Sequence, residues 1–186
     1  MGVPFYLHAG TTKTGKPRYF FAKTVDDRAI SSMPEGFEVT ESINGVVSVR
    51  RKVEGSIVVP EADVKTVEEA VARQPHLKFY KVHALGSAIV IFEPHPRPEE
   101  LRAQLERYGR LYMSASYIED RMKTARYAPV MKFERSVTGD DDNYSVFRMT
   151  YRGEGGWSWP FDSGKLADLV RKVVPAIGTE GFFELY

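Results

Sequence analysis

The sequence predicts an α+β fold: a mostly antiparallel sheet built from β-hairpins, packed against one long central helix and shorter helices. Three observations carry that expectation. Aromatic-rich or alternating runs come in pairs joined by Gly-containing turns, the pattern of hairpins. Apolar residues recur at helical spacing from Leu101 to Met122. The chain has 186 residues, 42% of them apolar, enough for one sizeable core. No repeat, low-complexity tract or linker interrupts it, so a single domain over 1–186 is expected, with regions 1–59, 60–127 and 128–186.

Taken in order, Val3 to Ala9 and Arg18 to Lys23 read as two antiparallel strands with a basic connection. Phe37 to Thr40 and Val46 to Val53 repeat the theme around Asn44-Gly45, a dipeptide suited to the positive φ values of tight hairpin turns. After Pro60 the period changes. Val64, Val67, Ala70 and Val71 share one face of a short helix ending near Gln74-Pro75. Leu77 to Leu85 and Ala88 to Phe92 form a hairpin turned at Gly86-Ser87, and the second run, apolar throughout, is the candidate central strand.

Pro98-Glu99-Glu100 starts the long helix, with proline in the first turn and carboxylates at its positive end. Its stripe is Leu101, Leu105, Tyr108, Tyr112, Ala115, Ile118 and Met122, and Gly109 is the place where it would bend or split. Val130 to Val137 and Tyr144 to Tyr151 flank an acidic turn. Leu166, Leu169, Val170 and Val173 mark a closing helix before Pro175, and Phe182 to Leu185 is read as a last strand.

Charge argues against an obligate whole-molecule polyanion binder, since 26 Lys and Arg stand against 25 Asp and Glu, and leaves room for a local basic patch. The balance is uneven, however. Residues 1–60 hold eight basic and six acidic side chains, whereas residues 128–186 hold seven and nine. With no cysteine, disulfides, thiolate catalysis and cysteine-ligated zinc are impossible. No leader-like segment or membrane-length apolar run is evident, which points to a cytosolic protein that does not enter membranes.

Residues 10–17, Gly-Thr-Thr-Lys-Thr-Gly-Lys-Pro, miss the phosphate-binding loop G-x-x-x-x-G-K-[ST] by one residue. Pro17 brings neither the hydroxyl that would hold Mg²⁺ nor an N–H. The following Arg18-Tyr19-Phe20-Phe21 favours a strand, where such a loop must open a helix. The alternative of an enzyme acting on a nucleotide or phosphorylated substrate would rest on Lys16 holding phosphate and Glu93 lying near a metal. A basic hairpin loop is the preferred reading.

The leading expectation is a non-catalytic binding module, for nucleic acid or a protein partner, with no cofactor. Lys13, Lys16, Arg18, Arg50, Arg51 and Lys52 would share one end of the N-terminal sheet, beside Tyr19 and Phe21. Cations neutralise phosphates and aromatic faces stack on bases, a pairing suited to single strands. Trp157 and Trp159, two apart, would share a face of an extended segment and offer a stacking or partner-binding platform.

Gly156-Trp157-Ser158-Trp159-Pro160 resembles the G-x-S-x-G spacing only until its last position, and no histidine follows Ser158 to complete a hydrolase triad. His8, His76, His83 and His95 have no metal-ligand spacing, and Asp140-Asp141-Asp142 matches no calcium loop. Glu93, Glu134 and Asp162 would be catalytic only by converging in space. The tyrosines and methionines of the long helix offer a route to a homo-oligomer.

Overall fold

A computed structural model of the chain describes residues 4–52, 58–109, 114–136, 143–150 and 156–185, with Ser114 described by its backbone alone. The α+β class and the antiparallel pairing are as the sequence predicts. The chain gathers into two compact units, residues 1–55 and 56–186.

The N-terminal unit consists of two hairpins. Strands β1 (Tyr6–Thr11) and β2 (Pro17–Ala22) pair antiparallel, with Gly10 opposite Arg18. Their turn closes through the Thr12 amide on the Lys16 carbonyl at 2.8 Å, and Gly15 takes φ +78°, a conformation that costs glycine little. Strands β3 (Phe37–Glu41) and β4 (Val47–Arg51) pair around Asn44-Gly45, where Gly45 adopts φ +73°. The interior is small. Among the described residues of this unit only His8 is fully buried, its ring stacked on Phe20 with centroids 5.4 Å apart. Its Nδ1 donates to the Tyr6 carbonyl at 2.9 Å, and Nε2 lies 3.3 Å from Asp26 Oδ1 without forming a hydrogen bond.

The C-terminal unit is built on a meander. Strands β5 (Lys81–Leu85), β6 (Ala88–His95), β7 (Arg126–Arg135) and β8 (Asn143–Thr150) lie side by side in chain order. The free edge of β8 is taken by two short pieces, β9 (Gly156–Trp157) and β10 (Asp162–Lys165). The run Ala88 to Phe92 is interior, as its unbroken apolarity implies, and every residue from Ala88 to Pro94 is buried. Ile89 and Ile91 of β6 face Phe133 and Met131 of β7, and Phe133 in turn faces Val146 of β8. These side chains join Val67 and Val71 of α1 (Glu61–Ala72) and Leu169, Val170 and Val173 of α4 (Leu166–Val173) in one core. Burying such aliphatic and aromatic groups contributes roughly 1.5–3 kcal/mol each, the main force holding sheet to helices.

Three expectations need correction. The described residues hold two ten-residue helices, α2 (Pro98–Arg107) and α3 (Ser114–Lys123), where one long central helix is expected. The first ends because Gly109 turns to φ +64° and its amide bonds back to Glu106, tightening the last turn. Leu101, Ile118 and Met122 still share a cluster with Phe79 and Ala125, so the stripe is used to fold the two helices together. Tyr112 and Met113 lie outside the described residues. The predicted final strand is a 3-10 turn, Glu180–Glu184, in which the Phe182 amide bonds to Thr179 and the Phe182 ring enters the core. Leu77 likewise belongs to a 3-10 turn, Pro75–Leu77, and β5 begins only at Lys81. Residues 138–142 of the acidic turn lie outside the described residues, and its last residue, Asn143, opens the strand that follows. Among those described, no helix is long and apolar enough to cross a membrane.

Candidate functional site

The near-motif at 10–17 leads from strand to strand. Lys16 closes the β1–β2 turn, its amide bonding to Thr12 Oγ1 at 3.1 Å, and Pro17 is already the first residue of β2. Among the described residues of the N-terminal unit there is no helix, so the loop does not open one whose N-terminus could hold an anion.

The six cations named from sequence lie on β2, on or directly after β4, and in the turn before β2. Tyr19 of β2 meets Phe37 of β3 edge-on, ring centroids 4.6 Å apart, which brings the two hairpins together there. Phe37 is paired with Arg51, so the end of β4 lies near Tyr19, which follows Arg18 in β2. Lys13, Lys16, Arg18, Arg51 and Lys52 are all exposed. Among the described residues none of the five forms an ion pair. Arg50 differs, because its Nε donates to Glu38 across the hairpin at 2.7 Å. Two guanidinium groups lie on aromatic faces: Arg18 at 5.6 Å from the Phe20 centroid and Arg51 at 5.4 Å from that of Phe37. Arg28 adds a third at 5.8 Å from Phe20, although its charge is shared with Asp26. That residue escapes sequence reasoning because its position beside β1, through the bridge His8 to Ala29, is set by tertiary contact.

The two tryptophans sit in different surroundings. Trp157 pairs with Met149 in β9, half-buried, with the Lys132 ammonium 5.3 Å from its ring and 4.1 Å from that of Phe147. Trp159 is 90% exposed, in the interruption between β9 and β10. Both belong to the C-terminal unit, not to the one holding the six cations named from sequence.

That C-terminal unit has a cavity of about 360 Å³ at the end of its sheet, lined by Glu93, Arg97, Val130, Gly178, Thr179, Glu180, Phe182 and Phe183. Strand alternation explains the buried carboxylate. Ile89, Ile91, Glu93 and His95 follow one another on one face of β6, the first two under the helices and the last two beyond them. The His95 Nε2 is 3.6 Å from Glu93 Oε1. Arg97 precedes α2 and is held by Glu100, which accepts from its Nε at 3.0 Å, from an η nitrogen at 2.8 Å and from its backbone amide at 3.1 Å. Those bonds to Glu100 raise the Arg97 pKa. Burial opposes ionisation of Glu100, yet the bonds from Arg97 outweigh it and hold the carboxyl below its ordinary range.

The roof is the C-terminal 3-10 turn. Gly178 enters it at φ +77°, and a methyl group there would come within 3.2 Å of the Tyr80 hydroxyl. Burial, aided by the negative charges of Glu93 and Glu99, pushes the Tyr80 pKa up to about 12. Arg148 donates to the Phe182 carbonyl at 2.9 Å and lies 5.8 and 5.9 Å from the centroids of Phe182 and Phe183.

The three carboxylates named from sequence do not act together. Glu134 pairs with Lys132 at 2.7 Å and Asp162 with Lys172 at 2.6 Å, each apart from the cavity walls. Among the described residues no three His, Asp or Glu side chains converge as a metal site. No family profile, curated protein or solved structure matches the chain, so its site residues rest on geometry alone.

Proposed function

We propose that the chain is a binding module whose N-terminal unit grips single-stranded nucleic acid. The observation that carries this reading is the Tyr19–Phe37 contact that joins the hairpins next to Arg18 and Arg51, with Lys13, Lys16 and Lys52 exposed in the adjoining turn and strand end and none of the five in an ion pair among the described residues. Cations brought near one another repel. A polyanion relieves that repulsion and releases its own counterions on binding. The half-exposed rings of Tyr19 and Phe37 supply flat faces for unpaired bases, a mode indifferent to sequence.

The test is a fluorescence-anisotropy titration with a labelled oligothymidine across a salt series. With four or five phosphates neutralised, the plot of log affinity against log salt should fall with a slope of about −3, since each contact on a single strand contributes about −0.7. Replacing Lys13, Lys16, Arg18, Arg51 and Lys52 together by Ala should flatten the slope and abolish binding. Absence of binding at low salt, or equal affinity in the substituted protein, overturns the reading.

A further inference from the structure

The cavity of the C-terminal unit plays no part in the nucleic-acid reading, and its walls are chemically selective. We propose that it binds a small organic cation, an amine or amidine carried on an apolar or aromatic body, with the Glu93 carboxylate as counter-charge and Phe182 and Phe183 as the flanking surface.

The size is suitable: about 360 Å³ accommodates a compact ligand, at the lower end of the range for small-molecule sites. The charges favour a cation. Two carboxylates, Glu93 and Glu180, line the space with one guanidinium, Arg97, which gives two of its nitrogens to Glu100 and also interacts electrostatically with Glu93. Glu93 is only 8% exposed, so its ionised form gains far more from a nearby positive group than a carboxylate in water does. His95, 3.6 Å away, reaches the same oxygen from outside and is itself half-exposed. The other titratable neighbours are Tyr80, which stays neutral, Glu99, whose charge also favours a cation, and Glu100, whose charge is balanced by Arg97.

The aromatic wall adds a second, independent preference. Phe182 and Phe183 meet edge-to-face with centroids 5.4 Å apart, and Arg148 lies on them without belonging to the cavity lining. Phe182 is buried in the core, so it is Phe183, 65% exposed, whose ring can present a negative face to a further cation. Val130 completes the apolar side, and the Thr179 hydroxyl provides a further acceptor for an N–H.

The experiment uses phenethylamine as probe, with benzyl alcohol as the neutral control and benzoate as the anionic one, followed by heteronuclear NMR on the full chain. Phenethylamine should shift resonances of Glu93, Thr179 and Phe183 saturably, and the two controls should not. Glu93→Gln should weaken that binding about tenfold or more, because a charge-assisted contact is replaced by a neutral one. Phe183→Ala should weaken it severalfold, and this ring, 65% exposed, is removable without disturbing the core. Should Glu93→Gln fail to fold, Phe183→Ala decides alone. No saturable shift with the amine, equal shifts with benzyl alcohol or benzoate, or unchanged affinity in the folded variants overturns the proposal.

Discussion

The Tyr144 hydroxyl donates to the Asp63 carboxylate at 2.6 Å, joining β8 to the first turn of α1 across 81 positions of sequence. Tyr144 is almost wholly buried, whereas Asp63 keeps partial contact with water. A hydrogen bond to a charged acceptor in such a setting contributes about 1.5–3 kcal/mol. Tyr144→Phe keeps the ring in place and removes the donor, so it should lower stability by about 1.5 kcal/mol. The measurement is the shift in urea midpoint, with an unchanged m-value showing that the fold is kept.

Gly178→Ala should be costly for two separable reasons. A left-handed backbone penalises any L side chain by about 1–2 kcal/mol, and the new methyl crowds the Tyr80 hydroxyl. Combining it with Tyr80→Phe should relieve the crowding and leave the backbone penalty. Thermal denaturation of the two single variants and the double variant separates the contributions.

Alkaline pH should loosen the same region. The Tyr80 phenol is raised in the folded chain from about 10 to about 12, so the folded state favours its protonated form. Its contribution is complete below the unfolded pKa and is lost as pH rises from about 10 through about 12. Wild type should therefore lose more stability than Tyr80→Phe across that window. Absorbance titration at the phenolate band should show one late-ionising group that is missing from the variant.

The two indoles should separate by quenching. Trp159 is open to solvent, while Trp157 is enclosed beside Lys132, Phe147 and Met149. Trp157→Phe should leave strongly iodide-quenchable emission, and Trp159→Phe weakly quenchable emission. Trp159→Ala should change stability by less than about 0.5 kcal/mol, as replacements of exposed side chains usually do.

Much of the strand layout was legible because its causes are local. Asn44-Gly45 marks a turn by backbone chemistry, and the unbroken apolar run from Ala88 to Phe92 marks a strand covered on both faces. Gly109 was legible as a break point, but its outcome was not. Whether a glycine bends or ends a helix depends on how Leu101 and Ile118 pack once the chain has turned. Phe182 and Phe183 carry strand propensity, yet local bonds within the 3-10 turn and burial of the Phe182 ring prevail.

Lys13 to Arg18 and Arg50 to Lys52 are clusters along the sequence and can be read there as such. Arg50 differs from its neighbours only through Glu38, a cross-strand pairing that spacing alone does not reveal. The cavity was not legible as a whole. The alternation Ile89, Ile91, Glu93 signals a carboxylate entering a core face, but its companions Arg97, Thr179 and Phe183 arrive from distant segments.

The interrupted strand along β8 bears on how the molecule behaves in a crowd. The Ser158 amide bonds to Arg148 and the Phe161 amide to Val146, so two extra residues, Trp159 and Pro160, stand off the ladder between them. A neighbour trying to add itself to this side of the sheet meets two short stubs, a projecting indole and an imino acid with no proton to share. On the opposite side, β5 is five residues long and begins with Lys81, another deterrent to strand addition. Self-templated growth through sheet borders, the route to fibrils, is thus disfavoured at both ends of this sheet by features written into its rim.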